Sequence, residues 1–311
     1  MYKKLPKLIV ILGPTASGKT DLAIKLAKKL APYRTCSGAG FNGFEIISAD
    51  SRQVYKGMDI GTAKVTKREM KGIPHYLLDV ASPKRHFTVA QYRKLALKAI
   101  EKIQRKKKIP ILCGGTWFYI QAVVDGILIP EVKPDWKLRK KLEKKTKKEL
   151  YQILKKLDHR RGKTIEKENP RRLIRAIEIV LKTKKPIPPF KKEPLPYPVL
   201  MIGIKKTKKE LERKIEKRFF QWLKRGLIKE VKNLRKTGLS FKKIEDFGIH
   251  YRVIAQYLQN KIGKKEMIEK AIREIKNYAK KQMAWFKRDK RIKWIKNCKQ
   301  AGKLIREFIR N

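Results

Sequence analysis

The stretch Leu8-Ile9-Val10-Ile11-Leu12-Gly13-Pro14-Thr15-Ala16-Ser17-Gly18-Lys19-Thr20 decides the fold. From Gly13 onward it fits the pattern G-x-x-x-x-G-K-[ST], a turn whose backbone N–H groups cradle a phosphate. The apolar run before it reads as a buried parallel strand. After it, Asp21-Leu22-Ala23-Ile24-Lys25-Leu26-Ala27 spaces apolar residues three and four apart, as a helix does. Strand, turn and helix in that order aim a helix N-terminus at whatever the turn holds. An ordinary glycine-rich turn needs neither flank. The stretch therefore predicts a diphosphate site made by Gly13, Pro14, Thr15, Ala16, Ser17, Gly18, Lys19 and Thr20. Lys19 would neutralise an outer phosphate, and the Thr20 hydroxyl would help to hold Mg²⁺. What carries the diphosphate is left open.

Outward from this site, Phe44 to Ser48 reads as a second strand, followed by Asp50-Ser51-Arg52-Gln53. Tyr76 to Val80 reads as another, and Ile109 to Cys113 as one ending in Gly114-Gly115-Thr116. Val89 to Gln104 between them is an amphipathic helix. Alternating strands and helices predict an α/β fold on a mostly parallel sheet, with the cleft at the carboxyl ends of the strands. Asp50 should therefore share a site with the phosphate loop. Its structural alternative is a helix cap made with Ser51. An acidic Mg²⁺ ligand is usual at such a strand end; the strand at 109–113 has none, and Asp50 or Asp79 could supply it.

Composition shifts near Ile127. Residues 131–185 are lysine-rich with helical spacing (Leu138, Leu142, Leu150, Ile153, Leu154, Leu157), broken at Gly162 and Pro170. A proline-rich connector from Pro186 to Pro198 leads to Val199 to Ile204, a strand returning to the first sheet. The expected organisation is a P-loop core of residues 1–127 plus 195–311, with a helical domain inserted at 128–194. The last third reads as helical, with Leu211, Ile215, Phe219 and Leu223 on one stripe and Ile292 to Ile295 as an edge strand. Ala31 to Gly43 reads as a surface loop.

Across 311 residues, 82 Lys and Arg oppose 28 Asp and Glu, a net charge of +54. Such a field attracts polyanions, nucleic acid above all, although a general lysine bias would also raise it. Cys36, Cys113 and Cys298, with four histidines, match neither a disulfide framework nor a zinc spacing. A reduced, cytoplasmic compartment is the default, without signal peptide or membrane span.

Further motifs follow in order: Ile47-Ser-Ala-Asp-Ser-Arg-Gln-Val-Tyr-Lys-Gly-Met-Asp-Ile-Gly-Thr-Ala-Lys64, Ile73-Pro-His-Tyr-Leu-Leu-Asp79, Gly114-Gly-Thr-Trp-Phe-Tyr119 and Asn169-Pro-Arg-Arg-Leu-Ile-Arg-Ala-Ile-Glu178. Tyr251-Arg252 and Gln282-Met-Ala-Trp-Phe286 close the series. Together they resemble the bacterial tRNA dimethylallyltransferases (tRNA isopentenyltransferases) over nearly the whole chain, and the 47–64 stretch is close to diagnostic.

The resemblance implies a fold similar to P-loop kinases but a different reaction. A dimethylallyl group would pass from dimethylallyl diphosphate to N6 of the adenosine just 3′ of the anticodon, in tRNAs reading U-starting codons. The phosphate loop and Thr20-bound Mg²⁺ would hold the leaving diphosphate, with Arg218 as a second cation. Asp50 would be the general base and Thr116 its partner in gripping the amine. The adenosine would be flipped into a channel. Asp50, Ser51, Arg52, Gln53 and Thr116 match base-facing positions. Arg139, Arg171, Arg172, Arg175, Tyr251, Arg252, Lys280, Lys281, Gln282, Trp285 and Lys287 match tRNA-facing ones. His250, Ala284 and Lys287 depart from the family's usual Gly, Thr and Arg. A monomer without an obligate protein partner is the family expectation. A small-molecule P-loop kinase, a regulated RNA-binding protein and a prenyltransferase acting on free adenine nucleotides are the alternatives.

Overall fold

The computed structural model describes residues 6–30, 41–127, 132–188 and 192–310. Two compact units result: Met1–Val124 with Leu195–Asn311, and Asp125–Pro194.

In the first unit the order is β1 (Leu8–Leu12), α1 (Lys19–Lys29), β2 (Phe44–Ser48), α2 (Lys67–Met70), β3 (His75–Tyr76), α3 (Val89–Arg105), β4 (Ile109–Gly114) and α4 (Trp117–Val124). The second unit holds α5 (Trp136–Leu142), α6 (Lys147–Leu157), α7 (His159–Thr164) and α8 (Pro170–Thr183). The chain then returns through β5 (Val199–Ile204), α9 (Lys208–Lys224), α10 (Leu227–Lys236), α11 (Phe241–Glu245), α12 (Ile249–Leu258), α13 (Lys264–Phe286), β6 (Ile292–Ile295) and α14 (Cys298–Arg310).

The six strands form one sheet in the order β3-β2-β4-β1-β5-β6, and every pairing is parallel. β1 is central, with Ile9 opposite Ile111 on one side and Leu200 on the other. Alternation along the strand divides the core. Leu8, Val10 and Leu12 face the cluster under α3, α4 and α9 to α13, while Ile9 and Ile11 face α1 and α14. Burial on both faces explains the unbroken apolar run. Four helices open with the reciprocal cap Thr-x-x-Glu/Gln, at Thr66, Thr88, Thr146 and Thr207.

Three expectations are corrected. The strand at Tyr76 to Val80 is only His75–Tyr76, because Leu77 and Asp79 take left-handed backbone angles (φ 63° and 56°) that turn the chain out of the ladder. Asp79 therefore lies beyond the sheet edge, paired with Lys64 at 2.6 Å. Gly162 is no break: it is buried inside α7, where an added Cβ would meet the Lys155 backbone at 3.4 Å. The stop there is Asp158, whose Oδ1 caps α7 through Arg161 N at 2.9 Å. The second unit begins at Asp125, three residues before the expected 128, because Ile127 bridges Lys192 and Glu193 N donates to Gly126 O. Of the expected loop at 31–43, residues 31–40 lie outside the described residues, as does Cys36. No described helix is long and apolar enough to cross a membrane.

Candidate active site

The phosphate loop bridges the end of β1 and the start of α1. Gly18, at φ 84°, caps that helix without a side chain, so the amides of its first turn stay open. The Ser17 hydroxyl is buried within the loop and has no hydrogen-bond partner there. An oxyanion seated in the loop would supply one.

Two cations serve this loop. Lys19 Nζ reaches Pro14 O at 3.3 Å. Burial pushes its ammonium below the ordinary value, Cys113 and Asp50 pull it back, and Arg218 pushes it down again. Arg218, on α9, donates to the Thr15 hydroxyl and lies over the Trp222 ring at 4.7 Å. Burial lowers its guanidinium to about 10 against the pull of Asp50. Neither cation makes an ion pair among the described residues.

The acid and the hydroxyl come from neighbouring strands. Asp50 follows β2, and its Oδ1 accepts from Arg52 N at 2.8 Å and Gln53 N at 3.4 Å. The helix cap considered from sequence is not formed, since a turn and not a helix follows Asp50; its Oδ1 caps that turn instead, which leaves the other oxygen for a ligand. Thr116 follows β4; its Oγ1 accepts from Ser51 N at 3.0 Å, and its own N donates to Ala49 O at 3.1 Å. Asp50 and Thr116 are thereby locked side by side. Of the two glycines before Thr116, Gly114 is a steric necessity, because backbone closes on it, while Gly115 leaves room for a bonded side chain. A Cβ on Gly114 would lie 2.1 Å from Ala49 O, and one on Gly115 would lie 2.7 Å from the Gln282 amide nitrogen.

Gln282 differs from its expected place on the tRNA-facing surface. It is buried, its Oε1 accepts from Thr15 N at 2.8 Å and its Nε2 donates to Gly115 O at 2.9 Å. It ties the phosphate loop to the β4 loop. Tyr251 also leaves the expected RNA surface: it is 1% exposed and its hydroxyl donates to Glu230 at 2.8 Å. Arg252 pairs with Glu274. Lys280, Lys281 and Lys287 are exposed, and Trp285 is 39% exposed with Arg288 over its ring at 4.4 Å. Phe286, one residue on, belongs to the core.

Tyr278, on α13, carries no motif that marks it in the sequence. It keeps 43% of its surface exposed, yet burial of its hydroxyl and the Asp50 carboxylate push it up to about 12. His250, on α12, meets the edge of Trp222 at 4.7 Å, and burial followed by Arg218 lowers its imidazole to about 3. It is a neutral wall beside Arg218.

In the second unit, Arg139 makes two bonds to Glu178, at 2.8 and 2.7 Å, and Arg175 donates to the same carboxylate and to Val132 O. Arg171 and Arg172 are exposed on α8, and Arg172 pairs with Glu166 at 3.0 Å. Arg139 and Arg175 are structural in this unit, because their guanidiniums are spent on a carboxylate with no solvent exposure.

Residues 53–289 match the family described as IPP transferase. The tRNA dimethylallyltransferase of Acetivibrio thermocellus is 40% identical over 299 residues, which is 94% of this chain and 92% of that protein. The chain belongs to the IPP transferase family. The tRNA dimethylallyltransferase of Halothermothrix orenii is 39% identical over 325 residues, 99% of this chain and 95% of its own length. Among solved structures, the full-length tRNA isopentenylpyrophosphate transferase of Bacillus halodurans superposes with a TM-score of 0.70 at 33% identity, covering 98% of this chain and 96% of that one. A eukaryotic dimethylallyltransferase, captured acting on tRNA, gives 0.73 at 28% identity over 90% of this chain and 70% of the other. The fold is accordingly the P-loop NTPase-like α/β fold of this family, with a helical unit inserted in it.

Proposed function

We propose that this enzyme transfers a dimethylallyl group from dimethylallyl diphosphate to N6 of the adenosine 3′ of the anticodon in tRNA. The observation that carries the reading is the meeting, at the carboxyl ends of three adjacent strands, of a cationic phosphate loop with a carboxylate–hydroxyl pair.

An exocyclic adenine amine is a weak nucleophile, so positioning and proton removal are the enzyme's first task. The second oxygen of Asp50 receives the N6 proton as the N6–C1 bond forms. Thr116 Oγ1, already accepting from Ser51 N, keeps its own hydrogen to orient the amine or ring nitrogen. As the C1–O bond breaks, its electron pair leaves with the diphosphate, and Lys19, Arg218 and the open amides of α1 stabilise that charge. Half-buried cations gain most here, because their solvation is already reduced. Pyrophosphate is the second product.

The donor set fits a diphosphate-bound Mg²⁺, since the Thr20 hydroxyl lies in the first turn of α1, which no side chain caps. No cluster of three or more Asp, Glu, His or Cys suited to a metal occurs among the described residues, and Mg²⁺ bound through substrate phosphates needs few protein ligands. Thr20 would hold it, and it would add positive charge against the leaving group. A cytoplasmic monomer and an anticodon stem-loop substrate complete the proposal. Arg52, Lys280, Lys281, Lys287, Arg171 and Arg172 would lie against the RNA.

The test is incubation with unmodified tRNA, Mg²⁺ and labelled dimethylallyl diphosphate, followed by digestion to nucleosides. N6-dimethylallyladenosine from tRNA, with none formed from free adenine nucleotides, is the expected result. Turnover of ATP without label in any tRNA would overturn it.

A further inference from the structure

A carboxylate outside the catalytic pair holds the base-side loop in place. Glu230, in the first turn of α10, is 9% exposed. Its Oε2 accepts from Asp59 N at 2.8 Å and Ile60 N at 2.7 Å. Its Oε1 accepts from Gly61 N at 3.1 Å and from the Tyr251 hydroxyl at 2.8 Å. Three successive backbone N–H groups converge on one side chain. A carboxylate serves them all by accepting at both oxygens, whereas an amide would turn its own donors toward donors. The fit is close: a Cβ on Gly61 would lie 2.9 Å from both Leu227 and Tyr251.

The loop clasped by Glu230 is also what Gln53 grips. Gln53 Nε2 donates to Thr62 O and Ala63 O, both at 3.1 Å, and its Oε1 accepts from the Ser48 hydroxyl at 2.8 Å. Buried Lys64 closes the far end of the loop on Tyr55 O, Asp59 and Asp79. Gln53 N in turn donates to Asp50. The connection from Glu230 through residues 59–63 and Gln53 to the catalytic carboxylate is therefore unbroken. On its other side Glu230 holds Tyr251 of α12. The residue before it, His250, lines Trp222, on which Arg218 lies. The clasp also forms part of the wall of a cleft of about 700 Å³, where Asp59, Ile60 and Glu230 line it together with Lys56, Arg225 and Lys229; this cleft shares no residue with the phosphate loop.

We propose that Glu230 is a positioning residue of the transfer reaction. It keys the base-side segment Asp50 to Gln53 and the α12 wall beside Arg218 to one helix, so that the acceptor amine and the leaving diphosphate meet in line. The inference rests on the prenyl-transfer reading. A fully satisfied buried network fixes one geometry, and small misplacements of a reacting pair cost far more in turnover than in binding.

The experiment compares wild type, Glu230→Gln and Tyr251→Phe. Four quantities are read: kcat and KM for prenylation of unmodified tRNA, calorimetric affinity for inorganic pyrophosphate, and melting temperature. For Glu230→Gln, kcat is expected to fall about 100-fold. Pyrophosphate affinity should stay within about threefold of wild type, because the phosphate loop is untouched. Tyr251→Phe removes one bond of the four and should lose about fivefold in kcat. A kcat for Glu230→Gln equal to wild type overturns the inference. So does a parallel loss of turnover, pyrophosphate affinity and melting temperature, which would mark a residue that only keeps the protein folded. Should Glu230→Gln not fold, Tyr251→Phe decides by the same criteria. A wild-type protein that makes no prenyladenosine fails the functional reading itself and takes this inference with it. A working wild type matched by both variants fails the inference alone.

Discussion

At the carboxyl ends of β1 and β4, Lys19 and Arg218 stand near Asp50 with no ion pair, whereas in the inserted unit Arg139 and Arg175 both close on the buried carboxylate of Glu178. All four residues are basic, and charge alone does not separate the two pairs. Around the phosphate loop, burial strips solvent from the cations and, among the described residues, no carboxylate pairs with either, the arrangement that the proposed diphosphate would use. In the inserted unit the same kind of charge is cancelled internally and fastens α5 to α8. A basic residue marks a ligand site only where the fold withholds its partner. The net charge of +54 says nothing of which residues those are.

The largest effects should come from the uncompensated side. Asp50→Ala or Lys19→Ala is expected to lower prenyl transfer about 1,000-fold. Tight tRNA binding should survive the Asp50 change to within about tenfold, as read in a filter-binding titration. A large affinity loss with turnover spared would remove Asp50 from the role of base. On the compensated side, Glu178→Ala strands two guanidiniums and should cost about 3 kcal/mol of stability in the inserted unit, measured by denaturant unfolding. That figure is the low end of the usual range because both arginines keep some solvent contact. Unchanged stability would make the contrast between the two regions an accident.

His250 offers a pH test beside Arg218. Its imidazole is lowered to about 3 in the folded protein, whereas the unfolded chain takes up the proton near about 6.5. Between those values the unfolded state binds more protons, so stability should fall as pH drops below about 6.5, by at most about 1.4 kcal/mol per pH unit. His250→Gln should flatten that part of the stability–pH profile; an unchanged slope would place the proton uptake elsewhere. The smallest effects belong to exposed cations. Single Ala substitutions of Lys280, Lys281 or Lys287 should weaken tRNA binding a few-fold and reduce the salt slope by about one each, with the melting temperature unmoved. A flat salt dependence in the parent protein would mean that these lysines are merely solvated.

Several differences between expectation and structure share one cause. Gln282 and Tyr251 sit in motifs that suggest RNA contact, yet both are bonded inside the core, because a polar side chain can serve the backbone as readily as a ligand. Leu77 and Asp79 looked extended because their residue types allow it; their left-handed backbone follows from turning the chain toward Lys64. Glu230 had no local signal at all. Its partners at 59–61 lie far away in sequence, and one glutamate on an amphipathic helix looks like any other.

Local patterns were sufficient for what depends on neighbours in the chain. The strand–turn–helix around Gly13 to Thr20, the parallel sheet, the return at Val199 and the adjacency of Asp50 to a strand end all follow from periodicity and turn chemistry. Motif resemblance added the chemistry and the family. Only the tertiary structure decided which charges are spent and which are kept, since pairing depends on distances between segments up to hundreds of residues apart. It joined Thr15 to Gln282 and Arg218, and Asp59 to Glu230. Desolvation then turned that geometry into electrostatics, lowering Lys19 and Arg218 beside the loop without an ion pair to either among the described residues.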